Sequence, residues 1–125
     1  MTKGAVDGQQ RVYDLEERTA AFGEAIIDIA KQVPKTHLTE SLIRQIVRSG
    51  TSVGANYCEA DDAQSKADFR SNINRCKKEA RETKHWLRMI VRAVPEMREP
   101  AKPLWQEAKE LVLIFGAIRT RTGRR

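Results

Sequence analysis

The sequence has no long uninterrupted apolar run, and this absence argues against a transmembrane helix. It contains no stretch of about 18 uncharged apolar residues, whereas a membrane-spanning helix needs about 20. Its first segment, MTKGAVDGQQRVYDLEE, lacks the apolar core of a secretory signal. We therefore expect a cytoplasmic protein that has no membrane partner.

Cysteine and histidine are scarce, which argues against a metal site. The two cysteines, Cys58 and Cys76, fit a reducing compartment. His37 and His85 have no cysteine or carboxylate at ligand spacing. The segment GTSVGAN lacks the Gly-Lys-Ser/Thr of a phosphate-binding loop. We predict no catalytic residue, no cofactor and no metal site, and we expect that the protein is not an enzyme.

Four apolar stripes with helical spacing are present, separated by Pro34, a polar break at 61–65 and Pro95. The stripes predict an all-α fold, an up-down-up-down four-helix bundle in a single domain over 1–125. The predicted helices span 14–33, 39–62, 66–94 and 103–121. The most regular stripe steps by four and three residues, as a bundle seam does; its members are Phe69, Ile73, Cys76, Ala80, Thr83, Leu87, Ile90 and Val94.

Capping residues mark the predicted helix starts. Asp14, Thr39 and Ser65 are the predicted N-caps of the first three helices. Asp68, three residues after Ser65, makes a pair that resembles a capping box. Pro103 fits the first turn of the fourth helix.

The second helix carries small residues on more than one side. Each glycine in it costs about 1 kcal/mol relative to alanine, so tertiary packing must offset the weak helix propensity. Gly50 and Gly54 share a face on which another backbone can approach closely. Either a second chain or another helix of the same chain would cover this region. The residues predicted for an oligomer interface or for tight helix packing are Arg48, Gly50, Ser52, Gly54, Ala55 and Glu59.

The third helix sorts its charges by side. Residues 65–98 contain ten Lys or Arg against four Asp or Glu. The predicted nucleic-acid-binding residues share one flank, and they are Lys66, Arg70, Lys77, Arg81, Lys84, Arg88 and Arg92. Several lie four residues apart, where like charges destabilise a helix slightly. A stripe that binds phosphates and a merely solvated face are the two interpretations of this row.

The opposite flank of the third helix is acidic. Glu79 and Glu82 lie there together with Asp68 and Trp86. These carboxylates need bases from elsewhere. Arg44 and Arg48 of the second helix, or a neighbouring subunit, are the candidates.

Three segments resemble a known family: RSGTSVGANYCEA, SKADF and KKEARETKHWLR. They are similar to the bacterial four-helix bundle protein family, whose members include proteins encoded in intervening sequences of the large-subunit ribosomal RNA. A related branch comprises the accessory variability proteins of diversity-generating retroelements. The resemblance covers roughly residues 43–92. It implies a ring-like pentamer with a basic surface, nucleic-acid binding and no enzymatic activity.

From these features we expect a basic accessory protein that forms a homo-oligomer and binds RNA or DNA largely through phosphate contacts. The alternative is an oligomeric scaffold or adaptor that binds a protein partner. A nucleic-acid binder loses affinity steeply with salt, which distinguishes the two. The few aromatic residues, 6% of the chain, fall mostly in phase with the core, so no base-stacking platform is evident.

Overall fold

Residues 14–123, the part of the chain that the computed structural model describes, form four α-helices joined by short connections. The helices are α1 (Leu15–Gln32), α2 (His37–Asp61), α3 (Lys66–Ala93) and α4 (Arg98–Gly123), with a 3₁₀ turn at Pro95–Met97 before α4. This confirms the predicted all-α four-helix bundle. The loose start expected for residues 1–13 lies outside the described residues.

The predicted stripes form the core. In α1 and just after it the predicted stripe is buried throughout; its members are Leu15, Thr19, Phe22, Ile26, Ile29 and Val33. In α3 the central members are buried, while Phe69 and Val94 at the two ends are half-buried. Each helix packs mainly on its neighbours in sequence, so α2 lies between α1 and α3, and α3 lies between α2 and α4.

The α2–α3 contact includes a buried polar pair. The hydroxyls of Ser49 and Thr83 have no solvent exposure and are hydrogen-bonded at 2.9 Å. Because each hydroxyl has a partner, the pair avoids the penalty for burying an unsatisfied polar group. Ser49 is a weak helix former, but its small side chain thus contributes to the packing of α2 on α3.

An ion pair closes the bundle where α1 and α4 meet. The Arg18 guanidinium donates to Glu107 through Nε at 2.7 Å and to Glu110 through Nη2 at 2.9 Å. The hydrogen bond with Glu107 is the main reason why the pKa of Arg18 is raised above its ordinary value. These two acids of α4 therefore share one cation of α1.

Two predicted N-caps need correction. Thr36, not Thr39, caps α2: the Thr36 hydroxyl accepts from the backbone N–H of Thr39 at 3.1 Å, and the Thr39 hydroxyl accepts from that of Thr36 at 2.8 Å. This reciprocal pair moves the start of α2 from the predicted residue 39 to His37. Asp14 precedes α1 but makes no side-chain cap. The Ser65 cap is confirmed, because its hydroxyl accepts from the N–H of Asp68 at 3.0 Å.

The predicted start of α4 is also wrong. The helix begins at Arg98, so Pro103 lies in its second turn and removes one helical hydrogen bond. Pro100 lies in the first turn, where the N–H has no helical partner in any case. Burial of Met97 and Ala101 against the core holds this proline-containing start in place.

Residues 14–123 lack the features of two other functional classes. Within this range, no helix combines the length and apolarity that crossing a bilayer requires. The same residues contain no group of three or more His, Cys, Asp or Glu side chains placed to hold a metal ion.

Candidate nucleic-acid interface

The acidic flank of α3 faces α2, where Arg48 forms ion pairs with two of its carboxylates. Arg48 Nη1 lies 3.2 Å from Glu79 Oε1, and its Nη2 contacts Glu82. Trp86 Nε1 donates to Glu82 Oε2 at 2.9 Å from the same side. The structure therefore places Arg48, one of the two predicted bases of α2, against these carboxylates.

The basic flank of α3 lies along α4. The Arg70 guanidinium reaches the C-terminal end of α4, where a Cβ added to Gly123 would come within 2.8 Å of it. The Lys84 amine lies 4.7 Å from the ring centroid of Trp105. Three of the seven predicted residues, Arg70, Lys77 and Lys84, are half-buried, whereas Lys66, Arg81, Arg88 and Arg92 are exposed.

The charge of this flank is not compensated within the described residues. The ion-paired carboxylates among residues 14–123 have Arg18, Arg48 or Lys102 as partners. None of the seven predicted cationic side chains lies within 4.0 Å of a carboxylate in this range. The Nε of Arg70 is buried without a hydrogen-bond acceptor. A row of unpaired cations beside a neighbouring helix suits an anionic ligand.

Helix α4 adds cations and one aromatic ring to this surface. Near its start, Arg98 and Lys102 share a groove with Arg88 and Trp105. The groove has a volume of about 220 Å³, and its floor is apolar, made by Leu87, Val91 and Ala101. We call these seven residues the Trp105 groove.

Sequence reasoning missed this role of Trp105. Helical spacing alone places Trp105 beside the apolar stripe of α4, but the side chain is 37% exposed. The available signal was its spacing from two lysines, Lys102 three residues before it and Lys109 four residues after it. On a helix this spacing puts all three side chains on one face. The Lys109 amine indeed lies 5.7 Å from the Trp105 ring centroid.

A second, shallower groove lies nearer the other end of α4, with a volume of about 610 Å³. Lys77 of α3 and Arg121 of α4 line it. Leu113, which is 65% exposed, contributes an apolar wall. The basic surface thus continues along the length of the α3–α4 pair.

The small residues of α2 separate into two groups. Gly50 and Gly54 pack on α1, and a Cβ added to Gly50 would lie only 2.7 Å from Ile26 Cγ2. A Cβ added to Gly54 would lie 3.3 Å from Thr19 Oγ1. Ala55 and Glu59 remain exposed, and Ser52 is half-buried. Tight packing within the chain therefore accounts for the glycines, whereas Ala55 and Glu59 are left uncovered.

The two cysteines have different environments. Cys58 is exposed, Cys76 is buried, and both are free thiols. Burial raises the pKa of Cys76 to about 12, which keeps the thiol protonated and unreactive at neutral pH.

Comparisons with known proteins agree on one family. A family model described as 23S rRNA-intervening sequence protein matches residues 11–115. A crystal structure of a protein with unknown function, from the S23 ribosomal protein family of Bacteroides thetaiotaomicron VPI-5482, is 32% identical to the chain, with a TM-score of 0.73. The alignment covers 83% of this chain and 96% of that one. No curated protein sequence matches.

Proposed function

The chain belongs to the 23S rRNA-intervening sequence protein family, and we propose that it is a non-enzymatic, oligomeric accessory protein that binds nucleic acid through phosphate contacts. The family match confirms the resemblance found in residues 43–92 and extends it over most of the chain. Membership by itself assigns no ligand. The proposal rests on the basic flank of α3.

The observation that carries the proposal is the row of cationic side chains of α3 along α4, which has no carboxylate partner among residues 14–123. From Lys66 to Arg92 the row is about 39 Å long at ~1.5 Å per residue, which is long enough to follow a phosphate backbone. Like charges one helical turn apart cost roughly 0.2–0.5 kcal/mol per pair. A bundle core does not require this arrangement, and an anionic ligand would offset its cost.

The chemistry of the row favours weak sequence preference. Lysine and arginine bind phosphates and position a protein on nucleic acid, whereas sequence is read at the base edges. In a homo-oligomer each subunit repeats the row, so modest contacts combine by multivalency. We therefore expect binding that depends strongly on salt and little on sequence.

The test compares two triple variants with equal changes in net charge. One replaces Arg81, Arg88 and Arg92 with Glu. These side chains are exposed, and Lys84, whose amine lies against Trp105, is left unchanged. The control replaces Lys31, Lys35 and Arg44 with Glu, which are exposed positions outside α3 and α4.

Affinity for a mixed-sequence oligonucleotide is measured by fluorescence anisotropy at about 50 mM salt, where phosphate contacts are strong. We expect the α3 variant to lose binding and the control to retain most of it, with helix content unchanged by circular dichroism. Equal weakening of both variants would show that net charge alone attracts the ligand. If the parent protein does not bind, the adaptor interpretation replaces this proposal.

A further inference from the structure

Trp105 occupies an unusual position for a tryptophan in a small bundle. Tryptophan side chains are highly buried on average, yet this one is 37% exposed beside a groove. The core contacts of this part of α4 are made instead by Ala101 and Ala108, which are both buried. Core packing therefore does not account for the exposed face of the indole.

Cations surround the indole. The amines of Lys84 and Lys109 lie 4.7 Å and 5.7 Å from its centroid. Arg88, Arg98 and Lys102 line the groove beside it. The acid nearest to this set within the described residues is Glu99, whose Oε2 lies 3.4 Å from the Lys102 amine on an exposed surface. An apolar floor, one aromatic ring and five cations are thus combined in one place.

We propose that the Trp105 groove takes one unpaired nucleobase, stacked on the indole, while the surrounding cations hold the adjacent phosphates. This inference rests on the proposed function and specifies its ligand as single-stranded nucleic acid. The groove, about 220 Å³ in volume, is smaller than the ~300–1,000 Å³ pockets that take drug-sized ligands. A groove of this size suits one small planar group better than a drug-sized ligand.

The lysine amines near the ring do not prevent stacking. An exposed cation–π contact is weaker than the stacking of a base on an aromatic side chain. Lysine has a flexible stem, so its amine can leave the ring and meet a phosphate next to the stacked base. Bases inside a duplex are already paired and stacked, and their faces are not accessible to the indole.

The experiment uses the full chain and three ligands of equal length, about 12 nucleotides. They are a single strand of mixed sequence, an abasic strand with the same phosphates, and a blunt duplex. The Trp105→Leu variant removes the aromatic plane but keeps an apolar side chain. Trp105→Phe retains an aromatic ring, and Trp86→Phe is the control at the other tryptophan, which lies on the opposite flank of α3.

We expect Trp105→Leu to weaken binding of the single strand about tenfold, the size of a typical stacking loss. Trp105→Phe should weaken it less, and Trp86→Phe should leave it unchanged. Affinity for the abasic strand and for the duplex should stay at the parent value in all three variants.

Fluorescence gives an independent readout in the folded protein. The chain has two tryptophans, so Trp86→Phe leaves Trp105 as the single indole. The single strand should quench its emission at saturation, and the abasic strand should not.

The outcomes separate the two proposals. If the parent binds all three ligands and Trp105→Leu has no effect, or weakens all three equally, the stacking site is wrong while phosphate binding stands. If an acidic peptide of equal charge competes as well as the single strand does, the groove recognises charge rather than a base, and the stacking site is again wrong. If the parent binds none of the nucleic acids, both proposals fail.

Discussion

Cys76 shows how one buried residue couples stability to pH. It lies fully buried on the face by which α3 packs into the core. Its pKa is raised from 9.0 to about 12, mainly because burial disfavours the thiolate. The unfolded chain can ionise this thiol near its ordinary pKa, whereas the folded chain cannot. The contribution of the protonated Cys76 thiol to the free energy of unfolding is therefore complete below about pH 9. It is lost as the pH rises toward about 12.

We predict that Cys76→Ala reduces the free energy of unfolding at neutral pH and that the reduction shrinks above pH 9. The variant lacks the ionisable thiol, so only the parent loses the Cys76 contribution, which falls by about 1.4 kcal/mol per pH unit. Urea unfolding of both proteins below and above pH 9 measures this difference. Ile90→Val, which truncates another buried side chain of α3 that cannot ionise, is the control, and its difference from the parent should not change with pH. A Cys76→Ala difference that does not change with pH would contradict the prediction.

At the scale of the helices, α1 and α2 cross at the glycines of α2. Gly50 has no room for a side chain, because a Cβ would come within 2.7–2.9 Å of three Ile26 side-chain atoms. Gly23 of α1 faces the same region, and a Cβ there would contact Thr51 Cα at 3.4 Å. Glycine lowers the helix propensity of these segments, but its lack of a side chain lets the two helices approach closely.

We predict that Gly50→Ala destabilises the fold by about 1–3 kcal/mol, the usual cost of overpacking, despite the better helix propensity of alanine. The matched control is Gly116→Ala in α4. A Cβ there would meet only the end of the flexible Lys77 side chain, at 3.8 Å. The free energy of unfolding of this control should rise by up to about 1 kcal/mol, because alanine has the higher helix propensity. Urea unfolding measures both, and equal stabilisation of the two variants would refute the account of the α1–α2 crossing.

At the scale of the whole molecule, the fold collects the charge of the second half of the chain on one surface. α3 and α4 are neighbours, and the acids of this half are largely paired on other sides, with Arg48 and with Arg18. The remaining bases border the two grooves of the α3–α4 pair. The α1–α2 side has a different character, with an apolar groove of about 310 Å³ that includes Ile27 and Ala55.

We predict that the protein is a homo-oligomer, with a pentamer implied by the family resemblance. Light scattering at micromolar concentration should give a multiple of the 14.2 kDa chain mass. Ala55→Arg places a long charged side chain in the exposed groove of α1 and α2 and should shift the mass toward a single chain without loss of helix. Arg44→Ala, on the exposed surface of α2, is the control. A parent mass near 14.2 kDa would refute the prediction.

The sequence by itself determined the helices, their seams and the sorting of charge on α3. Apolar spacing is a local property, and a stripe such as that of α1 must be buried whichever helix covers it. Tertiary structure decided between the candidate partners of the acidic flank, in favour of Arg48 of α2, and it placed the basic row along α4. It also decided that Trp105 faces solvent among cations, and that α4 begins before Pro103 because Met97 and Ala101 are buried. These features depend on the order in which the helices pack around the core, and helical spacing within one segment carries no information about its neighbour.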